Sequence, residues 1–216
     1  VEAAREAGDA DGLILNSCTE AVFAKARNLR WLQLMSAGVD YCMRFIGNRA
    51  DVTLTTLQRI NSYTLSDHAI ALTLALTRGL DIYARQTREG SLRRAEIPQG
   101  RIWSLKGRTM LIVGLGGIGG DVAAKAHAFG MRILATRNSG RDGPDYVERV
   151  GLSHELPDMI GEADVIVMTA PLTKETAHLF DKAMFDRMKR GAVFVNVSCG
   201  GIVQQDDLVA ALKSGQ

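Results

Sequence analysis

The stretch at residues 109–119, Thr-Met-Leu-Ile-Val-Gly-Leu-Gly-Gly-Ile-Gly, decides the fold. Its first five residues are apolar or β-branched and predict a buried strand, and Gly117–Phe129 predicts the helix that follows. Between them lies a GxGxxG motif, which is informative only when it joins a strand to a helix, as it does here. Gly114 permits a tight turn, Gly116 lets a ligand approach the backbone, and Gly119 lets the helix pack closely on the strand.

This motif predicts a dinucleotide-binding loop. The free N–H groups and the positive dipole end of the helix would face the pyrophosphate. A glycine-rich turn in an unrelated α/β domain remains the alternative. The predicted cofactor-binding residues of the loop are Gly114, Leu115, Gly116, Gly117, Ile118 and Gly119.

The next predicted strand, Met131–Ala135, leads to the residues that select the dinucleotide. An NAD site usually has Asp or Glu about 20 residues after the motif, where it binds the ribose hydroxyl. Here Arg137 takes that place, and no carboxylate follows until Asp142. An arginine favours a 2′-phosphate, so we expect NADP(H) to be preferred. If Arg137 only stacks on adenine, NAD(H) remains usable. The residues that would contact this end of the cofactor are Arg137, Asn138, Ser139 and Arg141.

The remaining sequence alternates between strand and helix patterns, which predicts a doubly wound parallel sheet. After the motif region we predict the helix Ser153–Ile160, the strand Val165–Met168, the helix Asp181–Met188, the strand Ala192–Val197 and the helix Gln205–Lys213. Before it, shorter βα units predict a second parallel sheet. Their predicted elements are the strands Leu13–Leu15, Trp31–Met35 and Val52–Thr55 and a helix from Thr19 to Arg27.

A long helical pattern from Ser66 to Glu89 lies between the two parts. Its first half, Ala69–Leu76, is apolar on every face, which predicts burial on all sides. Such a helix could join two domains, lie at a subunit interface, or belong to the core of one domain.

Composition excludes several classes of protein. The chain has 216 residues, 46% hydrophobic and 23% charged, which suits one or two globular domains and excludes disorder. The net charge of +2 with no basic block gives no sign of nucleic-acid binding. No apolar run reaches the roughly 20 residues that cross a membrane.

The cysteines and the chain ends give further expectations. Cys18, Cys42 and Cys199 are odd in number and lack CxxC or Cys/His metal spacing, so we expect no metal, a reducing compartment and a cytoplasmic location. The chain begins within an apparent helix, Val1–Ala7, and stops at Gln216, so it reads as truncated at both ends.

Several motifs in the same order resemble the D-isomer-specific 2-hydroxyacid dehydrogenases, especially the glyoxylate/hydroxypyruvate reductase-type branch. The resemblance covers nearly the whole chain. The matching motifs are Trp103–Gly107, Ala128–Met131, Ala163–Val167, Pro171–Thr176, Met188–Ala192, Asn196–Ser198 and Asp207–Leu212, with Ala37–Asp40 and Asp67–Leu72 upstream.

The resemblance implies two domains. Residues 1–64 would be part of a flavodoxin-like substrate domain, with Ala37 and Gly38 in the substrate loop, and residues 65–216 a C-terminally incomplete Rossmann domain. It also implies a small 2-oxo or 2-hydroxy acid such as glyoxylate or hydroxypyruvate as substrate, and a homodimer in the complete protein. Further cofactor contacts would come from Ala170, Pro171, Thr176, Val197 and Ser198.

The resemblance also implies a mechanism from which this chain departs. Family members hold the substrate with an Arg, and a His paired with a Glu supplies the proton. In the turn Asn196–Gly200, Cys199 stands at the Arg position, and the Glu and His would lie beyond Gln216. None of the histidines matches the catalytic context: His68, His127, His154 and His178.

We therefore expect no turnover from this chain. A nucleophilic role for Cys199 would need an adjacent base, which the sequence does not show. A non-catalytic dinucleotide-binding protein derived from the family is the alternative function.

Overall fold

The computed structural model describes residues 5–47, 49–91, 93 and 100–216. The chain divides into two compact units, with the division between Ile60 and Asn61, shortly before the predicted boundary after residue 64. The predicted helix Val1–Ala7 lies largely outside the described residues.

The first unit is a three-stranded parallel sheet in the order β1-β2-β3. In chain order its elements are β1 (Gly12–Leu15), α1 (Glu20–Phe23), β2 (Trp31–Leu34), α2 (Asp40–Ile46) and β3 (Thr53–Thr56). Leu32 is in register with Leu13 and with Leu54, and it is fully buried. The helix predicted from Thr19 to Arg27 is too long, because the chain leaves the helix after Phe23 in a turn in which the amide of Arg27 donates to the carbonyl of Lys25.

The cysteines do not support the expected reducing compartment, because two of the three form a disulfide. Cys18 follows β1, Cys42 lies on α2, and the two form a disulfide with their Cα atoms 5.3 Å apart. They are 24 residues apart in sequence, so no short motif marks them, and only the fold brings them together. Disulfides are typical of oxidising compartments, so this pair does not support a cytoplasmic location.

The second unit is a five-stranded parallel sheet in the order β6-β5-β4-β7-β8. The strand order changes direction at β4, with β5 and β6 on one side and β7 and β8 on the other, as in a Rossmann fold, so the predicted Rossmann domain is confirmed. In chain order its elements are α3 (Ser62–Thr77), α4 (Leu80–Arg88), β4 (Thr109–Val113), α5 (Gly117–Ala128), β5 (Arg132–Arg137), β6 (Val147–Leu152), α6 (Leu156–Met159), β7 (Val165–Met168), α7 (Lys182–Arg187), β8 (Val193–Asn196) and α8 (Gln205–Ser214).

Both faces of this sheet are covered, which explains the continuous apolar strands. On one face Ile112 and Val167 pack in a cluster with Val122 of α5. On the other face Leu111 and Ile166 pack in a cluster that includes residues of α6 and α7. Because all five strands are parallel, their carboxyl ends lie at one edge of the sheet, and the β4–α5 turn lies at the centre of that edge.

The predicted helix Ser66–Glu89 is two helices. Gly79 has a φ of 66°, a conformation that ordinary residues rarely adopt, and it separates α3 from α4. The prediction of burial on all sides is also wrong: Ala69, Ile70 and Thr73 are buried, whereas Ala71 is exposed. The apolar sequence alone does not show that only one face of α3 packs against the rest of its unit. Among the described residues, no helix is both long enough and apolar enough to cross a membrane.

Candidate functional site

In the β4–α5 turn, each glycine of the motif has the surroundings that its position in the motif predicts. At Gly114, with φ of 108°, a Cβ would lie 2.6 Å from the backbone nitrogen of Ala170. At Gly119 a Cβ would lie 2.2 Å from the carbonyl oxygen of Gly114. At Gly116 a Cβ would meet no atom within 4 Å. The first and third glycines are thus required by packing, whereas the second faces open space.

The first turn of α5 offers hydrogen-bond donors to a ligand. Gly116 caps the helix, and the amide of Gly120 donates to its carbonyl. The amides of Gly117, Ile118 and Gly119 have no acceptor among the described residues. The first helical turn has no acidic side chain. Free amides at the positive end of a helix dipole suit an anionic group such as a phosphate. The pattern fits a dinucleotide, whose pyrophosphate these amides would hold.

Arg137, at the end of β5, is held by the loop that follows it. Its Nε donates to the Ser139 hydroxyl over 2.9 Å, and its Nη1 donates to the carbonyl of Asp142 over 2.8 Å. Asn138 is exposed. The loop joins the glycine turn as well, because the amides of Gly114 and Leu115 both donate to the carbonyl of Thr136, next to Arg137. The guanidinium and the Ser139 hydroxyl therefore lie together beside the turn.

Arg141, also predicted to contact the cofactor, is already paired. Its guanidinium contacts the carboxylate of Glu155 over 2.8 Å. This hydrogen bond lowers the pKa of Glu155 below its ordinary value. Arg137 and Arg141 thus differ: the first is held by neutral groups and the second by a carboxylate.

The ends of β7 and β8 complete the same edge. The amide of Ala170 donates to the carbonyl of Val113, and the Ser198 hydroxyl donates to the carbonyl of Ala170. The amide of Val197 donates to the carbonyl of Met168. Hydrogen bonds therefore link the glycine turn to the segments after β7 and β8.

The loop after β7 is stabilised by one hydroxyl. Thr176 Oγ1 donates to the carbonyl of Pro171 over 2.7 Å and accepts from the amide of Thr173 over 2.7 Å. Pro171 is exposed. Thr176 therefore shapes this loop through its hydroxyl.

Cys199 lies in a tight turn after β8. The side-chain amide of Asn196 donates to the carbonyl of Cys199 over 3.1 Å, and Asn196 Oδ1 accepts from the amide of Ser198 over 2.9 Å. The thiol is free and half-buried. Its sulfur has no hydrogen-bonded base among the residues described by the structure, which argues against a nucleophile.

The histidines lie on separate elements. His68 is on α3, His154 is in the short helical turn after β6, and His127 stacks on Tyr146 with ring centroids 4.9 Å apart. His178, with φ of 54°, donates its backbone amide to the carbonyl of Gly201. In the part of the chain that the structure describes, no cluster of His, Cys, Asp or Glu could hold a metal ion.

The predicted substrate loop lies in the first unit, between β2 and α2. Ala37 and Gly38 are exposed there. The Ser36 hydroxyl donates to the carbonyl of Gly38 and lies 2.8 Å from the Tyr41 hydroxyl, so a local hydrogen-bond network shapes the loop.

The family comparison agrees with this geometry. The model of the family described as D-isomer specific 2-hydroxyacid dehydrogenase, NAD binding domain, matches residues 70–216. The chain belongs to this family. The predicted family is therefore confirmed, and the match includes the glycine turn and the segments after β5, β7 and β8.

Named relatives agree with the predicted branch of the family. The chain is 33% identical over 205 residues to a glyoxylate reductase of Korarchaeum cryptofilum, covering 94% of this chain and 61% of the relative. It is 32% identical over 210 residues to a glyoxylate/hydroxypyruvate reductase B of Citrobacter koseri, covering 96% of this chain and 64% of the relative. The chain thus spans less than two thirds of these relatives.

A solved structure shows the same fold. A D-isomer specific 2-hydroxyacid dehydrogenase family protein from Aeromonas salmonicida is 34% identical with a TM-score of 0.85, covering 99% of this chain and 67% of that one.

The sequence did not predict how three side chains shape the dehydrogenase-family site. Thr169 Oγ1 donates to the carbonyl of Gly114 over 2.7 Å and braces the glycine turn. Asn196 holds the turn around Cys199, and Glu155 pairs with Arg141. The position of Thr169 directly after a predicted strand could have indicated the first, whereas the Glu155 contact depends on the fold.

Proposed function

We propose that this chain is the cofactor-binding part of an oxidoreductase that reduces a small 2-oxo acid, such as glyoxylate or hydroxypyruvate, with NADP(H) preferred over NAD(H). The observation that carries the proposal is the β4–α5 turn, where Gly116 faces open space and the amides of Gly117 to Gly119 have no acceptor among the described residues. Relatives named as glyoxylate reductase and glyoxylate/hydroxypyruvate reductase support the substrate class.

The residues divide the work of holding the cofactor. The amides of Gly117 and Ile118 would bind the pyrophosphate. Leu115 is 7% exposed and packs in the core, so its contribution is to the shape of the turn. When bound, the nicotinamide would supply the hydride. The segments after β7 and β8 would hold the nicotinamide half, through Ala170, Pro171, Thr176, Val197 and Ser198.

The preference for NADP(H) rests on Arg137. Its guanidinium lies with the Ser139 hydroxyl beside the glycine turn, and both can donate to a 2′-phosphate. Asp142, the nearest carboxylate in sequence, contacts Arg137 through its backbone carbonyl. Arg137 and Ser139 thus supply hydrogen-bond donors at this strand end and no carboxylate acceptor for a ribose hydroxyl.

The expected lack of turnover rests on Cys199, which stands at the position where the family resemblance implies an Arg. A thiol cannot make the paired, charge-assisted hydrogen bonds by which a guanidinium holds a carboxylate. The substrate-binding role of Ala37 and Gly38, which are exposed in the loop after β2, remains a prediction. A homodimer of the whole protein and a cytoplasmic location also remain predictions.

A matched pair of proteins tests this proposal. The unmodified chain and Cys199→Arg are titrated with glyoxylate in the presence of NADPH, and substrate binding and NADPH oxidation are both measured. We expect glyoxylate to bind about tenfold or more tightly to Cys199→Arg, because a charge-assisted pair is gained. Robust turnover by the unmodified chain would contradict the proposed role of Cys199.

The second candidate function is a non-catalytic dinucleotide-binding protein. The observation in its favour is that the turn keeps a regular hydrogen-bonded shape with a thiol at position 199. Asn196 donates to the carbonyl of Cys199 and accepts from the amide of Ser198. Tight NADPH binding combined with no gain of glyoxylate affinity in Cys199→Arg would favour this candidate.

A further inference from the structure

A carboxylate that the sequence does not place near Arg137 reaches this end of the site from the neighbouring strand. In the sheet, Leu152 of β6 is in register with Arg137 of β5. The amide of Leu152 donates to Glu155 Oε2 over 2.7 Å. Glu155 is therefore fixed, through Leu152, beside the strand end that carries Arg137.

Glu155 also binds the second arginine of the predicted phosphate site. Its two carboxylate oxygens contact Arg141, with Nη1 to Oε2 at 2.8 Å and Nη2 to Oε1 at 3.0 Å. The Arg141 and Glu155 side chains are 56% and 31% exposed, so the pair lies at the surface, where a ligand can reach it.

This arrangement has two consequences for a phosphate bound beside Arg137. The carboxylate neutralises Arg141, which would otherwise add a second guanidinium, and it places a negative charge near a negative ligand. The hydrogen bond from Arg141 keeps the pKa of Glu155 low, so the carboxylate is ionised at neutral pH. Both consequences weaken binding of a 2′-phosphate and leave a ribose hydroxyl unaffected.

We propose that Glu155 is a specificity-determining residue, which holds Arg141 and thereby limits the preference for the 2′-phosphorylated dinucleotide. This inference rests on the proposed function, since it presumes that a nicotinamide dinucleotide binds at the glycine turn. Arg141 exchanges the carboxylate for the phosphate when NADPH binds, and keeps it when NADH binds.

Glu155→Gln tests this role with little change in shape. The glutamine oxygen can still accept the amide of Leu152, while the negative charge is lost. We expect the ratio of NADPH to NADH affinity to rise about two- to fivefold, the size expected for an exposed ion pair. The Kd for NADH should not change.

Glu148→Gln is the matched control. Glu148 also forms an exposed pair with an arginine, Arg132, but that arginine begins β5 whereas Arg137 ends it. The two variants change the net charge equally. An equal rise in the ratio in both variants would overturn the inference, because it would show a general effect of charge.

A variant lacking Arg141 and a spectroscopic signal complete the test. In the Arg141→Gln background, Glu155→Gln should keep only the part of its effect that comes from removing a negative charge near the phosphate, and an undiminished effect would contradict the exchange. In the unmodified chain, the NMR signal of the Arg141 Nε–H group should shift with NADPH and not with NADH. Equal shifts with both would also overturn the inference.

The outcomes separate this inference from the proposed function. If the unmodified chain binds neither dinucleotide, the proposed function fails. If it binds both, and Arg137 controls the ratio while Glu155→Gln matches Glu148→Gln, only the role of Glu155 fails.

Discussion

The turn after β4 and the turn after β8 lie at the same edge of one sheet, yet they have kept different parts of the family pattern. Both are well formed: Thr169 braces the first, and Asn196 holds the second. The first retains the full GxGxxG motif, whereas the second has Cys199 at the position where the family resemblance implies an Arg. Backbone geometry is thus intact in both turns, and the proposed difference between them lies in one side chain, that of Cys199.

This difference separates two requirements of a dehydrogenase. Binding a dinucleotide depends mainly on backbone amides and on space, which glycines supply. Holding a 2-oxo acid depends on one charged side chain. A single substitution can therefore remove the second capability and leave the first.

The largest effect should come from Gly119→Val. A Cβ there would lie 2.2 Å from the carbonyl oxygen of Gly114, a backbone atom that cannot move aside freely. We expect a loss of about 3 kcal/mol or more in the free energy of unfolding. Thermal unfolding followed by circular dichroism measures it. A native melting temperature would show that α5 does not pack on β4 as described.

Gly116→Val is the matched comparison within the same motif. A Cβ there meets no atom within 4 Å, so stability should fall by less than about 1 kcal/mol. Dinucleotide affinity should fall about a hundredfold or more, because the side chain would stand where the pyrophosphate approaches. Calorimetric titration with NADPH measures the loss, and unchanged affinity would move the cofactor site elsewhere.

Arg137→Asp should reverse the cofactor preference. The substitution removes a donor to the 2′-phosphate and adds an acceptor for a ribose hydroxyl. We expect the ratio of NADPH to NADH affinity to fall about tenfold or more, since hydrogen bonds to charged groups are involved. Arg132→Gln, at the other end of β5, should leave the ratio unchanged. Tighter binding of NADH by the unmodified chain would count against the role of Arg137.

The smallest effect concerns the opposite edge of the sheet, where Asp164 joins β4 to β7. Its carboxylate accepts from the Thr109 amide over 2.8 Å and from Lys189 Nζ over 3.0 Å. Burial raises its pKa, but these hydrogen bonds outweigh burial and hold the pKa below its ordinary value. Its contribution to stability is therefore present above the unfolded pKa of about 3.9 and is lost as pH falls through the lower folded pKa.

Asp164→Asn tests whether the Asp164 carboxylate stabilises the fold at neutral pH and loses this effect in acid. At pH 7 it should lower the free energy of unfolding by about 1 kcal/mol, and the difference from the unmodified chain should shrink below about pH 4. Denaturant unfolding at several pH values measures it, with dinucleotide affinity unchanged at pH 7. A difference that grows in acid would contradict the assigned direction of the pKa.

The central strands were predictable because they are buried on both faces. Thr109–Val113 and Val165–Met168 have the predicted bounds, since uninterrupted apolar runs of this length fit a strand covered by helices. β6 was missed because it is an edge strand, where exposed Glu148 and Arg149 interrupt the apolar pattern. The short helix α2 was missed as well.

The other errors depend on contacts between distant parts of the chain. The Cys18–Cys42 disulfide and the Arg141–Glu155 pair join residues that no short motif relates. Asp142 is the first carboxylate after β5 in sequence, whereas Glu155 reaches the same region through the register of β5 with β6. Local sequence patterns thus predicted the glycine turn, whereas the residues that lie beside it were identified only from the register of the sheet.

Calorimetric titration of the unmodified chain with NADPH tests the central claim most directly, namely that the β4–α5 turn is a working dinucleotide site. We predict saturable binding of one NADPH per chain. No binding at near-millimolar NADPH by the folded chain would contradict the claim.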